Sequence, residues 1–309
     1  MEKLYNALKY LFTDTSHFFD SLVVNTGKYL PDKLFLKLRY RCKMGQWPNL
    51  TVPKTFTEKL QWLKLYNRKP EYTTMVDKYA VKDYVASKIG EEYIIPTLGV
   101  WDTPDDIDWD SLPDQFVLKT THGGGGCGVV ICKDKSSFDR ESAKRKLNRS
   151  LKSDIYLHYR EWPYKNVRKR IIAEKYITST QADSFDELPD YKFYCFDGEP
   201  KIVMVASGRF KENTYFDYFD MNWVKLPLVW DKPNSNFDIQ APKCLDEMIY
   251  ICRSLTQGIP HVRCDLYLVN GNVYFGELTF FDASGFCKFN DEKWNLLIGD
   301  YIDLPIECS

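Results

Sequence analysis

The chain has 309 residues, of which 42 are Lys or Arg and 43 are Asp or Glu, so its formal net charge is −1. This length allows two or three packed subdomains, and the balanced charge argues against nucleic acid as a partner. The nine cysteines include no C-x-x-C pair and only four histidines accompany them, which argues against zinc fingers and disulfide frameworks and favours a cytoplasmic protein with reduced thiols.

The N-terminal third of the chain is predicted to be mainly helical. Its first segment, residues 1–19, is amphipathic and rich in aromatic residues, so packing against its own domain and docking on a membrane surface are both open. No run of about 18 apolar residues, the length that crosses a bilayer, occurs in the sequence. Thr55-Phe-Thr-Glu58 has the pattern of a capping box, and Gly90 marks a helix end. The predicted elements are helices within residues 1–47 (one of them over 33–43), over 58–66 and over 77–89, and short strands over 93–96 and 98–101.

A glycine-rich segment follows, in which two β-rich runs flank a loop with five glycines in six positions, 123–128. Closely spaced glycines let successive backbone N–H groups converge on an anion, and Lys119 before the loop supplies a charge for phosphate. A flexible hairpin without a ligand is the alternative. The G-x-G-x-x-G pattern here leads into a strand rather than a helix, and no Lys-Ser/Thr follows the glycines, so neither a dinucleotide fold nor a P-loop is predicted. We predict a strand–loop–strand flap over nucleotide phosphates.

The second half of the chain reads as strands with few helices. Asp197-Gly198 is a strong turn signal between two predicted strands. The predicted elements are helices over 139–151 and 245–255, a strand over 170–177, and hairpins over 190–206 and 262–280.

The last hairpin carries two carboxylates, Asp265 and Glu277. A three-residue loop over 270–272 would pair Asp265 with Glu277 and Arg263 with Thr279, leaving the apolar residues on the other face. A two-residue loop would send the two carboxylates to opposite faces. Because opposed carboxylates repel, the first register predicts a cation between them, and Mg²⁺ bound to phosphate needs only one or two carboxylates.

The order of these parts resembles the ATP-grasp fold. In this chain the matching parts are Lys78 near a helix start, Lys119 before the glycine flap, a strand ending at residues 174–177 and a late hairpin with two carboxylates. Several stretches are similar to its teichuronopeptide-biosynthesis (TupA-like) branch, which is found among bacterial surface-polysaccharide genes. They are Thr55-Phe-Thr-Glu-Lys-Leu-Gln-Trp62, Val76-Asp-Lys-Tyr79, Arg160-Glu-Trp-Pro-Tyr164 and Phe275-Gly-Glu-Leu-Thr279. The similarity covers about residues 30–290.

The resemblance implies a role for each of several residues. Lys78 and Lys119 would hold the α and β phosphates, and the loop would close over the triphosphate through Gly123, Gly124, Gly125, Gly126 and Gly128. His122 beside the loop would contact phosphate or, alternatively, would only pack. The segment starting at Glu174 would hold adenine through the backbone of Lys175 and Ile177, and Asp183 would meet the ribose. Lys192, Arg209 and Arg263 would serve catalysis. Asp265, Glu277 and Thr279 would bind Mg²⁺, although Thr279 stands where the superfamily often has asparagine, a stronger ligand.

The implied fold is α+β, an ATP-grasp fold of two α+β subdomains that clasp ATP, with an N-terminal helical and α/β pre-domain. We predict a helical segment at residues 1–30, a pre-ATP-grasp region at 31–110, a small subdomain at 111–175 and a large subdomain at 176–309.

The implied activity is an ATP- and Mg²⁺-dependent carboxylate–amine ligase that works through an acyl phosphate. Its partners would be a sugar acid or glycan acceptor of a bacterial surface polysaccharide and an amino acid or small amine. A kinase of a glycan or alcohol and a non-catalytic nucleotide-binding partner of a glycosyltransferase are the alternatives. The expected location is the cytoplasm, with association at the inner face of the membrane or with a glycosyltransferase left open.

Overall fold

Two antiparallel sheets organise the chain. The computed structural model describes residues 15–178, 190–208 and 214–305. The smaller sheet consists of β1 (Thr97–Trp101), β2 (Phe116–Thr120), β3 (Val130–Cys132) and β4 (Ile171–Lys175). Its strand order is β1-β4-β2-β3 and all its pairings are antiparallel. β2 and β3 flank the glycine loop, so the predicted strand–loop–strand flap is confirmed.

The larger sheet is built from two hairpins and their neighbours. Its strands are β5 (Asp190–Phe196), β6 (Glu199–Ser207), β7 (Tyr215–Phe219), β8 (Lys225–Leu226), β9 (Val262–Val269) and β10 (Asn272–Thr279). Their order is β10-β9-β5-β6-β7-β8. Both predicted hairpins, β5–β6 around Asp197-Gly198 and β9–β10, are confirmed.

Helices cover the sheets and fill the N-terminal region. They are α1 (Thr15–Thr26), α2 (Asp32–Met44), α3 (Phe56–Tyr66), α4 (Glu71–Val76), α5 (Val81–Ile89), α6 (Arg140–Leu151), α7 (Ile155–Tyr159), α8 (Leu245–Thr256) and α9 (Glu292–Asp300). The predicted capping box begins α3, because Thr55 Oγ1 accepts from the N–H of Glu58 and the Glu58 carboxylate accepts from the N–H of Thr55. Over the described ranges, no helix combines the length and apolar character that spanning a membrane requires.

The buried apolar side chains form two clusters, one for each sheet. The larger joins the second sheet to α3, α5, α8 and α9, and the smaller joins the first sheet to α6. Residues 31–110 contribute to both halves of the fold. Their helix α3 packs in the larger cluster, and their strand β1 pairs with β4 of the smaller sheet. The domain boundaries given above stay predictions.

The helix predicted over residues 77–89 forms only over α5 (Val81–Ile89), because residues 77–80 lie in a break between α4 and α5. Asp77 Oδ1 accepts from the N–H groups of Tyr79 and Ala80, at 2.9 and 3.2 Å. A short polar side chain that bonds the backbone in this way competes with a helix. The break leaves the N–H of Lys78 free to donate to Thr121 O at 2.9 Å, at the start of the glycine loop.

The strand predicted over residues 93–96 is wrong. Glu91–Tyr93 forms a 3₁₀ turn, and only Thr97–Trp101 pairs as a strand. Proline has no N–H for a ladder bond, and Pro96 contributes only its carbonyl, which accepts from the N–H of Lys175 at 3.0 Å.

The last hairpin pairs Asp265 with Glu277 and Arg263 with Thr279, as predicted, but its turn and its ladder differ from the predicted ones. Its turn has two residues, Asn270 and Gly271, both with positive φ, so the predicted three-residue loop is wrong. The register shifts by one residue between Phe275 and Glu277. A β-bulge at Gly276 therefore restores the pairing that the two-residue turn alone would prevent.

We expect Gly276→Ala to destabilise the protein by about 1–3 kcal/mol, the usual cost of overpacking. A Cβ at this position would lie 2.9 Å from the backbone oxygen of Asp265 and 3.0 Å from Tyr267 Cε2. Urea unfolding measures the effect. Gly124→Ala is the matched control, since its Cβ would meet only Ile155 Cδ1, at 3.7 Å. Equal stability of the two variants would contradict a tight bulge.

Candidate functional site

A cluster of opposite charges is built on β9 and its neighbour β5. Arg263 and Asp265 share a face of β9 because they are two residues apart, and Arg263 Nε and Nη2 lie 2.7 and 2.8 Å from the two oxygens of Asp265. Lys192 stands opposite Asp265 in the ladder. Its Nζ contacts Asp265 Oδ2 and lies 2.8 Å from Asp190 Oδ2. Asp265 is only 1 % exposed, and burial raises its pKa although the charges of Arg263 and Lys192 oppose the shift.

Glu277 on β10 is the more accessible carboxylate. Its Oε2 lies 2.6 Å from Lys78 Nζ, and its Oε1 lies 3.4 Å from Thr279 Oγ1 and 3.7 Å from Arg263 Nη2. Burial alone would raise the pKa of Glu277, but the charges of Lys78 and Arg263 outweigh it and hold that pKa well below its usual range. Burial alone would lower the pKa of Lys78, and Glu277 raises it instead. Both groups are therefore charged at neutral pH.

Lys78 connects this cluster to the glycine loop. Its backbone N–H donates to Thr121 O at 2.9 Å, while its side chain reaches Glu277 on the larger sheet. The backbone bond depends on the break between α4 and α5 described above. One residue thus ties the loop of the first sheet to the carboxylates of the second.

Asp282 belongs to the cluster, although the sequence did not indicate it. Its Oδ1 lies 2.5 Å from Arg263 Nη1, and its Oδ2 accepts from the hydroxyl of Tyr194 at 2.6 Å. The next two residues have positive φ, 44° and 54°, which non-glycine residues seldom adopt. The buried ammonium of Lys64 holds this turn by donating to Ser284 O and Oγ, at 2.9 and 2.6 Å. The only sequence signal for Asp282 is its position directly after the hairpin.

A second buried carboxylate, Glu174 on β4, lies between two lysines. Its Oε2 is 2.7 Å from Lys119 Nζ, and its Oε1 is 2.6 Å from Lys82 Nζ. Glu174 faces Val117 across the β2–β4 ladder, so Lys119, two residues further along β2, is its diagonal neighbour. Burial would raise the pKa of Glu174, yet the two lysines keep it below the ordinary value. The sequence did not indicate Lys82.

The glycine loop offers free backbone donors next to these lysines. Two turns close it, with the N–H of Cys127 donating to Gly124 O at 3.1 Å and that of Val129 to Gly126 O at 3.3 Å. The N–H groups of Gly124, Gly125 and Gly126 have no acceptor within the described part of the chain. Positive φ values occur at Gly125, Gly126 and Gly128. At Gly123 a Cβ would lie 2.5 Å from Thr120 Oγ1, so the loop depends on glycine for both conformation and space.

His122, directly before the loop glycines, is buried. It is 2 % exposed, and its Nε2 lies 3.1 Å from Ser150 O at the end of α6. Burial lowers the pKa of its ring, so it is neutral at pH 7. This placement favours the packing alternative over a contact with phosphate.

The segment predicted to hold adenine leaves the sheet at the end of β4. The N–H of Lys175 is occupied by Pro96 O, so only its carbonyl remains for a ligand, and Ile177 is half-buried two residues further on. Asp183 and Arg209 lie outside the described residues.

The model of the TupA-like ATP-grasp family matches residues 58–303. The chain belongs to this family. The match and the two antiparallel sheets with N-terminal helices confirm the predicted α+β ATP-grasp fold. No match was found among curated proteins.

Several solved structures are similar to this ATP-grasp protein at low identity. D-alanine–D-alanine ligase from Helicobacter pylori is 15% identical with a TM-score of 0.41, over 80% of this chain and 69% of that one. The D-cycloserine synthetase DcsG is 15% identical with a TM-score of 0.41, over 74% and 69%. N5-carboxyaminoimidazole synthetase from Staphylococcus aureus, complexed with ADP, is 14% identical with a TM-score of 0.44, over 87% and 65%.

The charged cluster contains donors that suit Mg²⁺. Asp265, Glu277 and Thr279 present carboxylate and hydroxyl oxygens from adjacent strands, and Mg²⁺ prefers such hard ligands. Among the residues described, no three His, Cys, Asp or Glu side chains converge as a metal site. An ion that takes one or two carboxylates together with phosphate oxygens does not need such a triad. The residues therefore fit a nucleotide-bound Mg²⁺, provided that Lys78 leaves Glu277 and that Arg263 or Lys192 leaves one of the two oxygens of Asp265 that they now occupy.

Proposed function

We propose that this ATP-grasp protein is an ATP- and Mg²⁺-dependent ligase that joins a carboxylate to an amine through an acyl phosphate. The observation that supports it best is the double contact of Lys78, with the glycine loop through its backbone and with Glu277 through its side chain. A triphosphate lying under the loop would meet free N–H groups, lysines and the carboxylate pair within one space.

In this proposal Lys78 and Lys119 hold the phosphates as point charges, and the loop glycines donate their free N–H groups to phosphate oxygens. Asp265, Glu277 and Thr279 hold Mg²⁺, which neutralises charge on the phosphates. The carbonyl of Lys175 and the N–H of Ile177 face the adenine edge. Contact of Asp183 with the ribose stays a prediction.

The chemistry has two steps. A carboxylate oxygen of the acceptor attacks the γ-phosphorus, the bond to the β-phosphate oxygen breaks, and ADP leaves. The amine then attacks the acyl carbon, inorganic phosphate leaves with the bonding pair, the nitrogen gives up one proton to the departing phosphate, and the amide remains. Arg263 and Lys192 stabilise the charge that develops on the transferred phosphoryl group and the acyl oxygen, and Arg209 is proposed to assist them.

The proposed acceptor is a sugar acid of a bacterial surface polysaccharide, and the proposed nucleophile is an amino acid or small amine. The reaction is placed in the cytoplasm, where ATP is available, near the inner face of the membrane where such polymers are assembled. A polysaccharide role rests on the family resemblance.

A screen of uronic acids against amino acids and small amines, read by ADP release and by the mass of the product, tests the proposal. Amide formation that requires ATP, Mg²⁺ and both substrates supports it. A phosphorylated product formed without amine would identify a kinase instead. Binding of Mg-ATP without turnover for any pair would favour a non-catalytic partner of a glycosyltransferase.

Lys119→Ala is expected to lower turnover by about 10²–10³-fold, the usual effect of removing one preorganised charge donor. Lys133→Ala is the matched control, because Lys133 is an exposed lysine directly after β3 of the same sheet. Both variants are assayed for ADP release with the substrate pair found in the screen. Equal activity of the two variants would overturn the phosphate assignment.

A further inference from the structure

Two lysines share the buried carboxylate of Glu174, but they are bound very differently. Lys82 Nζ has three acceptors, Glu174 Oε1 at 2.6 Å, Ile95 O at 2.6 Å and Thr97 Oγ1 at 2.8 Å. An ammonium group has three N–H bonds, so Lys82 is saturated. Lys119 Nζ has one acceptor within the described residues, Glu174 Oε2 at 2.7 Å. It therefore keeps two N–H bonds for another ligand.

The positions of the two lysines match this difference. Lys119 lies on β2 next to the glycine loop, and its side chain is partly exposed. Lys82 lies on α5, four residues after Lys78, and its side chain is 13% exposed against 19% for Lys119. Its ammonium is fixed by acceptors before β1, at the start of β1 and on β4. Lys119 can turn toward a ligand in the loop, whereas Lys82 would have to break three bonds to move.

Glu174 needs a cation at all times because it is only 5 % exposed. A buried carboxylate that loses its only partner is left as an uncompensated charge, which is strongly unfavourable. If Lys119 were the sole partner of Glu174, its ammonium group could bind phosphate only by leaving Glu174 buried and unpaired. The cost of that unpaired charge would weaken the binding of phosphate. A second, fixed cation removes this cost.

We infer that Lys82 is a positioning residue that keeps Glu174 neutralised and thereby releases Lys119 to bind the phosphates of the nucleotide. The inference rests on the proposed function, because it takes Lys119 to be a phosphate ligand. It assigns Glu174 a part as well, as the resting partner of Lys119 when no nucleotide is bound.

The test is Lys82→Met, with binding of Mg-ATP and of adenosine measured by calorimetry. We expect Mg-ATP to bind about 10- to 100-fold more weakly, within the usual range of coupling between sites, while adenosine binding is unchanged. Equal weakening of both ligands would mean that Lys82 only supports the adenine side, and would overturn the inference.

The double variant Lys82→Met/Glu174→Gln gives a second, independent outcome. Because it removes the carboxylate that would retain Lys119, Mg-ATP affinity should return to within a few-fold of the wild type. A double variant as weak as Lys82→Met, or weaker, would show a merely structural role. The double variant also keeps the test open if Lys82→Met alone does not fold, since it buries no unpaired carboxylate and the lysine that loses its counter-charge, Lys119, is partly exposed.

The two proposals fail separately. A wild-type protein that binds no Mg-ATP would contradict the proposed function. A wild-type protein that binds Mg-ATP, together with a Lys82→Met variant of equal affinity, would contradict only the role of Lys82.

Discussion

Replacing Arg263 by methionine is expected to lower turnover by at least about 10²-fold and to destabilise the protein by about 3–5 kcal/mol. Arg263 is buried and donates to Asp265 and Asp282 at distances of 2.5–2.8 Å. Its removal leaves both carboxylates without their main cation, which is the costly way to break a buried ion pair. Chemical unfolding and ADP release measure the two effects.

Two further variants separate these effects. Arg263→Met/Asp282→Asn should recover part of the lost stability, because the charge of Asp282 is gone and Asp265 keeps its contact with Lys192, but it should recover no turnover. Asp265→Asn should lose turnover at a smaller cost in stability, since Lys192 keeps Asp190 and Arg263 keeps Asp282 as partners. If turnover returned in the double variant, Arg263 would be structural and not catalytic.

Local patterns in the sequence predicted the elements that frame the site. The capping box at Thr55, the flap around the glycines and the turn at Asp197-Gly198 all form where they were predicted, because each depends on residues a few positions apart. The pairing of Asp265 with Glu277 was also predicted, but from a three-residue loop, whereas the turn has two residues and a bulge provides the shift. Strand alternation cannot detect a bulge, since an extra residue only shifts the pattern by one. The single glycine inside the strand, Gly276, was the available signal.

The contacts that complete the site could not be read from the sequence, because they join distant segments. Lys82 on α5 contacts Glu174 on β4, and Asp282 reaches Arg263 only because the chain turns sharply after β10. The break before α5 was missed for another reason. Asp77 fits an amphipathic helix by its spacing, and only its bonds to the backbone of Tyr79 and Ala80 show that it ends one.

Replacing Glu277 by glutamine is expected to have opposite effects on two measurements. Mg²⁺-dependent turnover should fall by about 10²–10³-fold, because the proposed metal ligand loses its charge. Binding of ATP in the presence of EDTA should instead become about 3- to 10-fold tighter, which corresponds to an ion pair of about 1 kcal/mol. The reason is the 2.6 Å contact between Lys78 Nζ and Glu277 Oε2, which in the proposed function would occupy the lysine until a metal ion took the carboxylate.

This result would mean that the ion pair between Lys78 and Glu277 is replaced when the nucleotide binds, by a contact of Lys78 with phosphate and a contact of Glu277 with the metal ion. In that case Lys78 would leave Glu277 for phosphate when Mg²⁺ binds, and the nucleotide would bind best as its magnesium complex. Glu199→Gln is the matched control, because Glu199, on β6 of the larger sheet, forms an exposed ion pair with Arg253 on α8. It should change neither measurement. If metal-free ATP bound to the Glu277→Gln variant no better than to the wild type, the ion pair with Glu277 would not be what keeps Lys78 from binding phosphate. Glu277 would then act on the metal alone.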